Sequence, residues 1–118
     1  MTLVDTSVWI DHFRRGNAEL AALLTNGEVL LHPLVFGELA CGGFRNRAGI
    51  LQLLGTLPNA DVATSEETMV FLEKQKLHGI GLGWIDISLL ASARLTACDL
   101  WTLDKTLARE ARRLGLTD

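Results

Sequence analysis

Four acidic residues stand in stretches of this chain that are otherwise largely apolar. Asp5 lies in "LVDTSVWID" (3–11), Glu38 in "LVFGELACG" (34–42), Asp86 in "GWIDISLLASA" (83–93), and Asp104 closes "LWTLD" (100–104). Each alone has an ordinary explanation. Asp5, Thr6 and Ser7 are good helix N-caps, and an acid there meets the positive end of the helix dipole. Asp86 suits the first turn of a helix for the same reason, and Glu38 can pair with an arginine. The alternative for Asp5 is the carboxyl end of a central strand, where open α/β sheets place their chemistry. Asp104 ends a strand and opens a helix, so it repeats that environment. Brought together, two such charges about 4 Å apart repel by roughly 4 kcal/mol at an effective dielectric near 20. A cluster of four therefore asks for protonation or a cation. Carboxylates without a His–Cys set suit Mg²⁺ or Mn²⁺ better than Zn²⁺.

The elements that must position these acids follow from the pattern. Residues 2–5 read as a short buried strand and 6–14 as a helix. Asn17 caps a second helix with Leu20, Leu23 and Leu24 at i, i+3, i+4 spacing, stopped by Asn26-Gly27. "EVLL" (28–31) is a second strand. Pro33 opens a helix running to about Gly42-Gly43, and residues 45–57 form another, ended by Pro58-Asn59. "ADVAT" (60–64) reads as a weak strand. A helix starts at Ser65, with Thr68 where a capping box would want Glu, and runs to about His78. After the glycine-rich "GIGLG" (79–83), helix is expected from Trp84 to Ala97, then strand over 100–103, then a final amphipathic helix marked by Leu107, Ala111 and Leu114. "LTD" at 116–118 reads as the start of a terminal strand. Short strands alternating with helices imply an α/β fold: a central parallel sheet flanked by helices in three layers. Asp5 and Asp104 become neighbours if the first and last full strands are adjacent near the switch point of the sheet.

The 118 residues suffice for one domain, taken as 1–118, with one core and no repeat or linker. No run of about 18 apolar residues suggests a membrane span, and Met1 leads almost directly into the first strand without a signal-peptide pattern. Cys41 and Cys98 are far apart and read as small buried hydrophobes, which points to the cytoplasm. The net charge of −3 argues against a generic basic nucleic-acid binder. A basic rim around an acidic centre would still guide a phosphate backbone.

Across essentially its whole length the chain resembles the PIN-domain ribonucleases, most closely the VapC-type toxins of toxin–antitoxin pairs. The carriers are the four acid-bearing stretches, in that order and spacing. The resemblance implies a PIN fold, metal-dependent hydrolysis of RNA, and an acidic site formed by Asp5, Glu38, Asp86 and Asp104. Asp5, Asp86 and Asp104 are the candidate ligands of Mg²⁺ or Mn²⁺. Thr102 matches a hydroxyl position of the family, and Thr6 and Ser7 match its polar positions after the first Asp. A homodimer and a cognate antitoxin that places a basic side chain in the site are also implied. The sequence departs from many relatives at Ile87, Ser88 and Leu89, where small residues are usual, and it ends early.

Lys105 and Arg109, one turn apart on the last helix, are candidate RNA contacts. Arg112 and Arg113 complement the helix dipole. Asp11 and Asp99 read as solvent-facing or capping. His12, His32 and His78 form no ligand pattern and read as surface or capping residues. Trp9, Trp84 and Trp101 read as core- or interface-packing rather than base-stacking residues. Two other functions compete. A Mg-dependent phosphatase or phosphotransfer domain would also use strand-end acids, but a haloacid-dehalogenase-type enzyme wants a second Asp where Ser7 stands. A non-catalytic PIN-like binding module would be expected to have lost one or more of the four acids.

Overall fold

A computed structural model describes residues 1–117. The elements run β1 (Thr2–Val4), α1 (Thr6–Arg15), α2 (Ala18–Thr25), β2 (Val29–Leu30), α3 (Pro33–Ala40), α4 (Arg47–Leu54), α5 (Ser65–Gln75), α6 (Trp84–Thr96), β3 (Asp99–Trp101) and α7 (Lys105–Arg113). The three strands are parallel in the order β2-β1-β3. Leu3 pairs with Leu30 on one side and Leu100 on the other. Such strands read as continuous apolar runs because helices cover the sheet, and Leu3, Val4, Val29, Leu30 and Leu100 are all buried. One core cluster joins them to Val8 and Trp9 of α1, Val35 of α3, Leu89 and Leu90 of α6 and Leu107 of α7.

This order positions the site. β1 is central, and the chain leaves it first toward β2 and returns on its other side as β3. The residues that follow β1 and β3 therefore emerge side by side at the carboxyl end of the sheet, the place where such sheets bind ligands. α3 follows β2 at the same end.

The strand expected over 60–64 does not form. Only Asn59 makes a parallel bridge, to Leu31. The ladder stops there because its next donor on the β2 side is Pro33, which has no N–H, and on the other edge Asp61 N–H donates to Thr96 Oγ1 at 2.8 Å and Ala63 N–H to Ser92 Oγ at 3.1 Å. The capping box of α5 is set one residue earlier than expected. Thr64 Oγ1 accepts from Glu67 N–H, and Glu67 Oε1 accepts from Thr64 N–H. β3 also starts earlier, with exposed Asp99 as its first residue, so Thr102 and Leu103 lie beyond the strand. Leu116 O accepts from Leu100 N–H at 2.8 Å, but residues 116–117 are not a strand, and Asp118 lies outside the described residues.

Cys41 corrects another expectation. It is exposed at the carboxyl end of α3, while Cys98 is half-buried against the core. His32 is a cap, as expected, but a buried one. Its Nδ1 accepts from Leu34 N–H, and its Nε2 lies 3.0 Å from Ser92 Oγ. The bond at Nδ1 leaves the ring proton on Nε2, and burial pushes the His32 pKa below the usual imidazole value. Trp9 and Trp101 pack against the core, and Trp84 is 42 % exposed, outside the core.

Candidate active site

Asp5 sits at the N-cap position of α1 yet makes no capping hydrogen bond with its side chain. Its carboxylate turns instead toward β3. Oδ2 accepts from Thr102 Oγ1 at 2.7 Å and from Ser7 Oγ at 2.8 Å, and the two hydroxyls lie 3.3 Å apart. The hydroxyls also hold the incoming backbone, because Leu103 N–H donates to Ser7 Oγ and Asp104 N–H to Thr102 Oγ1, both at 3.0 Å. Asp5 and Thr102 are each only 7 % exposed, so this hydroxyl–carboxylate knot is sheltered.

The other three acids reach the same end of the sheet from three helices. Asp104 caps α7, with Oδ2 accepting from Leu107 N–H at 2.8 Å. Asp86, in the first turn of α6, accepts from Gly83 N–H at 3.0 Å through Oδ2. Glu38, on the outer face of α3, accepts from Thr6 Oγ1 at 2.7 Å through Oε1. One pattern runs through all four. Each carboxylate has one oxygen tied by the protein, and among the described residues the other has no hydrogen-bond partner.

Their charges act on one another. Burial raises the Asp86 carboxyl above its ordinary pKa; the Gly83 N–H opposes this, and the negative charges of Asp5, Asp104 and Glu38 add to the rise. Among the described residues, no group of three or more His, Cys, Asp or Glu side chains is already arranged to hold a metal ion. The carboxylates are thus close enough to repel without converging on one point. In donor chemistry they fit a hard cation that keeps several waters, since every free ligand atom is a carboxylate oxygen.

A PIN-domain family model matches residues 2–113. The chain belongs to the PIN-domain family. It is also 42 % identical over 117 residues to the protein named Ribonuclease VapC32 in two strains of Mycobacterium tuberculosis, CDC 1551 / Oshkosh and ATCC 25618 / H37Rv. In each case the match covers 98 % of this chain and 94 % of the relative.

Within this PIN domain the structure gathers Asp5, Glu38, Asp86, Asp104, Thr6 and Thr102 around the carboxyl end of the sheet. Ser7 belongs with them. Its place two residues after Asp5 is the signal, because a hydroxyl there can reach back to the carboxylate while its own backbone continues the helix. Lys105 and Arg109 are exposed on α7. Lys105 directly follows Asp104, while Arg109 lies 3.3 Å from Glu110 Oε2. Asp11 is held by Arg15 and Asn17, away from the four acids.

Proposed function

We propose that this PIN domain is a metal-dependent endoribonuclease that acts as a toxin and is held in check by a cognate antitoxin. The observation that carries the reading is the set of four half-satisfied carboxylates at the carboxyl end of the parallel sheet, in a chain similar to a named ribonuclease. Asp5, Asp86 and Asp104 are the residues to hold Mg²⁺ or Mn²⁺, with Glu38 completing the acidic set. Such an ion supplies an acidified water and offsets charge on phosphoryl oxygens. Ser7 and Thr102 fix Oδ2 of Asp5 and so aim its other oxygen. Thr6 does the same for Glu38. Lys105, at the start of α7, is placed to meet a phosphate of the strand. Retention of all four acids favours an enzyme over a silent binding module, and family membership favours a nuclease over a phosphatase.

An apolar groove of about 510 Å³ between α1, α2 and α4 offers surface for an antitoxin segment, with Trp9, Phe13, Leu24, Ile50 and Leu53 among its lining residues. It lies apart from the acids, so a bound segment must extend beyond it to place a basic side chain among them. No helix among the described residues is long and apolar enough to cross a membrane. A homodimer is part of the same reading, and light scattering that shows a strict monomer at micromolar concentration removes that part. The decisive assay incubates the purified chain with single-stranded RNA in Mg²⁺, in Mn²⁺ and in EDTA, beside Asp5→Asn. Ion-dependent cleavage by the native chain alone is expected. Equal cleavage in EDTA overturns the metal reading, and no cleavage of any RNA overturns the nuclease reading.

A further inference from the structure

A second cleft of about 240 Å³ opens where α3, α5 and α6 meet, flanked by the 62–65 segment. Trp84 borders it as the first residue of α6, two positions before Asp86. Trp84 is 42 % exposed, unlike Trp9 and Trp101, which pack against the core. Thr68 borders it from α5 and is 1 % exposed. Among the described residues the Thr68 hydroxyl joins no hydrogen bond, and Trp9 Nε1 is the sole fully sealed side-chain polar atom left without one. What little of Thr68 is exposed belongs to a residue that lines the cleft. Ser65 adds a hydroxyl, Ser88 Oγ donates to Trp84 O at 2.8 Å, and no Lys, Arg, Asp or Glu lines the cleft. Its histidine, His32, has both ring nitrogens engaged by Leu34 and Ser92.

A neutral cleft with an exposed indole and an unpartnered hydroxyl suits a flat, uncharged ring bearing hydrogen-bonding edges, not a phosphate. Asp86 and Trp84 project from the same first turn of α6, so the cleft and the acids are separated by about one helix diameter, roughly 10 Å. We infer that this cleft receives one unpaired base of the RNA strand, stacked on Trp84 and hydrogen-bonded by Thr68, next to the bond being cut. Sequence-specific recognition of RNA works in this way, by splaying unpaired bases onto aromatic faces. The inference rests on the nuclease reading above and gives it a source of sequence preference.

The test uses the native chain and four variants, Trp84→Ala, Trp84→Phe, Thr68→Val and Thr68→Ser, on single-stranded RNA varied at each position flanking the cut. Trp84→Ala is expected to raise KM roughly 5- to 100-fold, the range of one lost stacking contact, with little change in kcat. Trp84→Phe retains most of the affinity. Thr68→Val changes the base preference at one flanking position, and Thr68→Ser restores it. In EDTA, where no cut occurs, RNA is expected to quench the fluorescence of the native chain but not of Trp84→Phe. A native chain that cuts RNA while Trp84→Ala and Thr68→Val keep its KM and preference overturns this inference and leaves the nuclease reading standing. So does a Trp84→Ala chain altered in oligomeric state but not in base preference. A native chain that neither cuts nor binds RNA overturns both.

Discussion

The β1–α1 and β3–α7 junctions place an aspartate at the same point of the fold, just past a parallel strand and just before a helix. The two aspartates are held in different ways. Asp104 is an exposed N-cap bonded to the backbone of its own helix. Asp5 occupies an N-cap position without capping, is buried, and is bonded to a hydroxyl on each of two junctions. A carboxylate in this position is thus not explained by helix capping alone. On the proposed reading, stability and chemistry share one side chain at β3–α7, whereas at β1–α1 the helix start has no side-chain cap and the acid is left for the site.

Substituting each acid conservatively separates these roles. Asp5→Asn keeps shape and removes a charge, and RNA cleavage is expected to fall by orders of magnitude in a gel assay. The same variant should melt at or above the native temperature without metal, because one member of a repelling set is neutralised, and should gain less from added Mn²⁺. An Asn variant that cleaves at the native rate breaks the contrast and leaves Asp5 without a chemical role. Thr102→Val is expected next in size. It removes a donor to Asp5 and the acceptor of Asp104 N–H together, which should lower activity about 10- to 100-fold and destabilise the fold by about 1–3 kcal/mol in denaturant titration. Ser7→Ala should behave as a weaker copy.

Asp104 sharpens the comparison by splitting two readouts. Asp104→Asn and Asp104→Ala should both lose cleavage, but only the alanine variant should lose stability, by about 1 kcal/mol, since asparagine caps nearly as well as aspartate. The smallest effect concerns pH. Asp86 is harder to ionise in the folded chain than in the unfolded one, so the native state binds more protons over the interval between the ordinary value of 3.8 and the raised one. Stability is lost as pH climbs through that interval and the loss is constant above it. Asp86→Asn lacks this decline, so thermal melts without metal should match the native chain at low pH and exceed it near neutrality. Parallel melting curves across the whole range would remove both the burial cost of Asp86 and the repulsion from the account.

The acids and the elements that carry them were legible because each depends on local pattern: apolar runs, capping residues and a carboxylate in an apolar setting; the adjacency of the first and last strands, which brings Asp5 and Asp104 together, was left as a condition that the fold meets. Non-local competition was not. The 60–64 segment has strand-like composition, and only the fold brings Ser92 and Thr96 to its N–H groups. The true cap of α5 lay one residue upstream because Thr64 and Ser65 are both competent, and the partner at Glu67 decides between them. The resemblance marks Ser7 as a polar position, but its bonds to Thr102 and Leu103, 95 and 96 residues away, are a product of the fold. Trp84 and Cys41 are apolar residue types left at a surface, and no periodicity of their own helices signals that.

The tied oxygens of the four carboxylates have one more consequence. A free Asp or Glu side chain samples several rotamers, and ordering it on a ligand costs conformational entropy that weakens binding. Here the bonds from Thr102, Thr6, Gly83 and Leu107 have already removed that freedom during folding. On the proposed reading, a cation at the carboxyl end of this sheet meets side chains whose ordering cost folding has met in part, and the remaining cost is the shift that brings their free oxygens to one point.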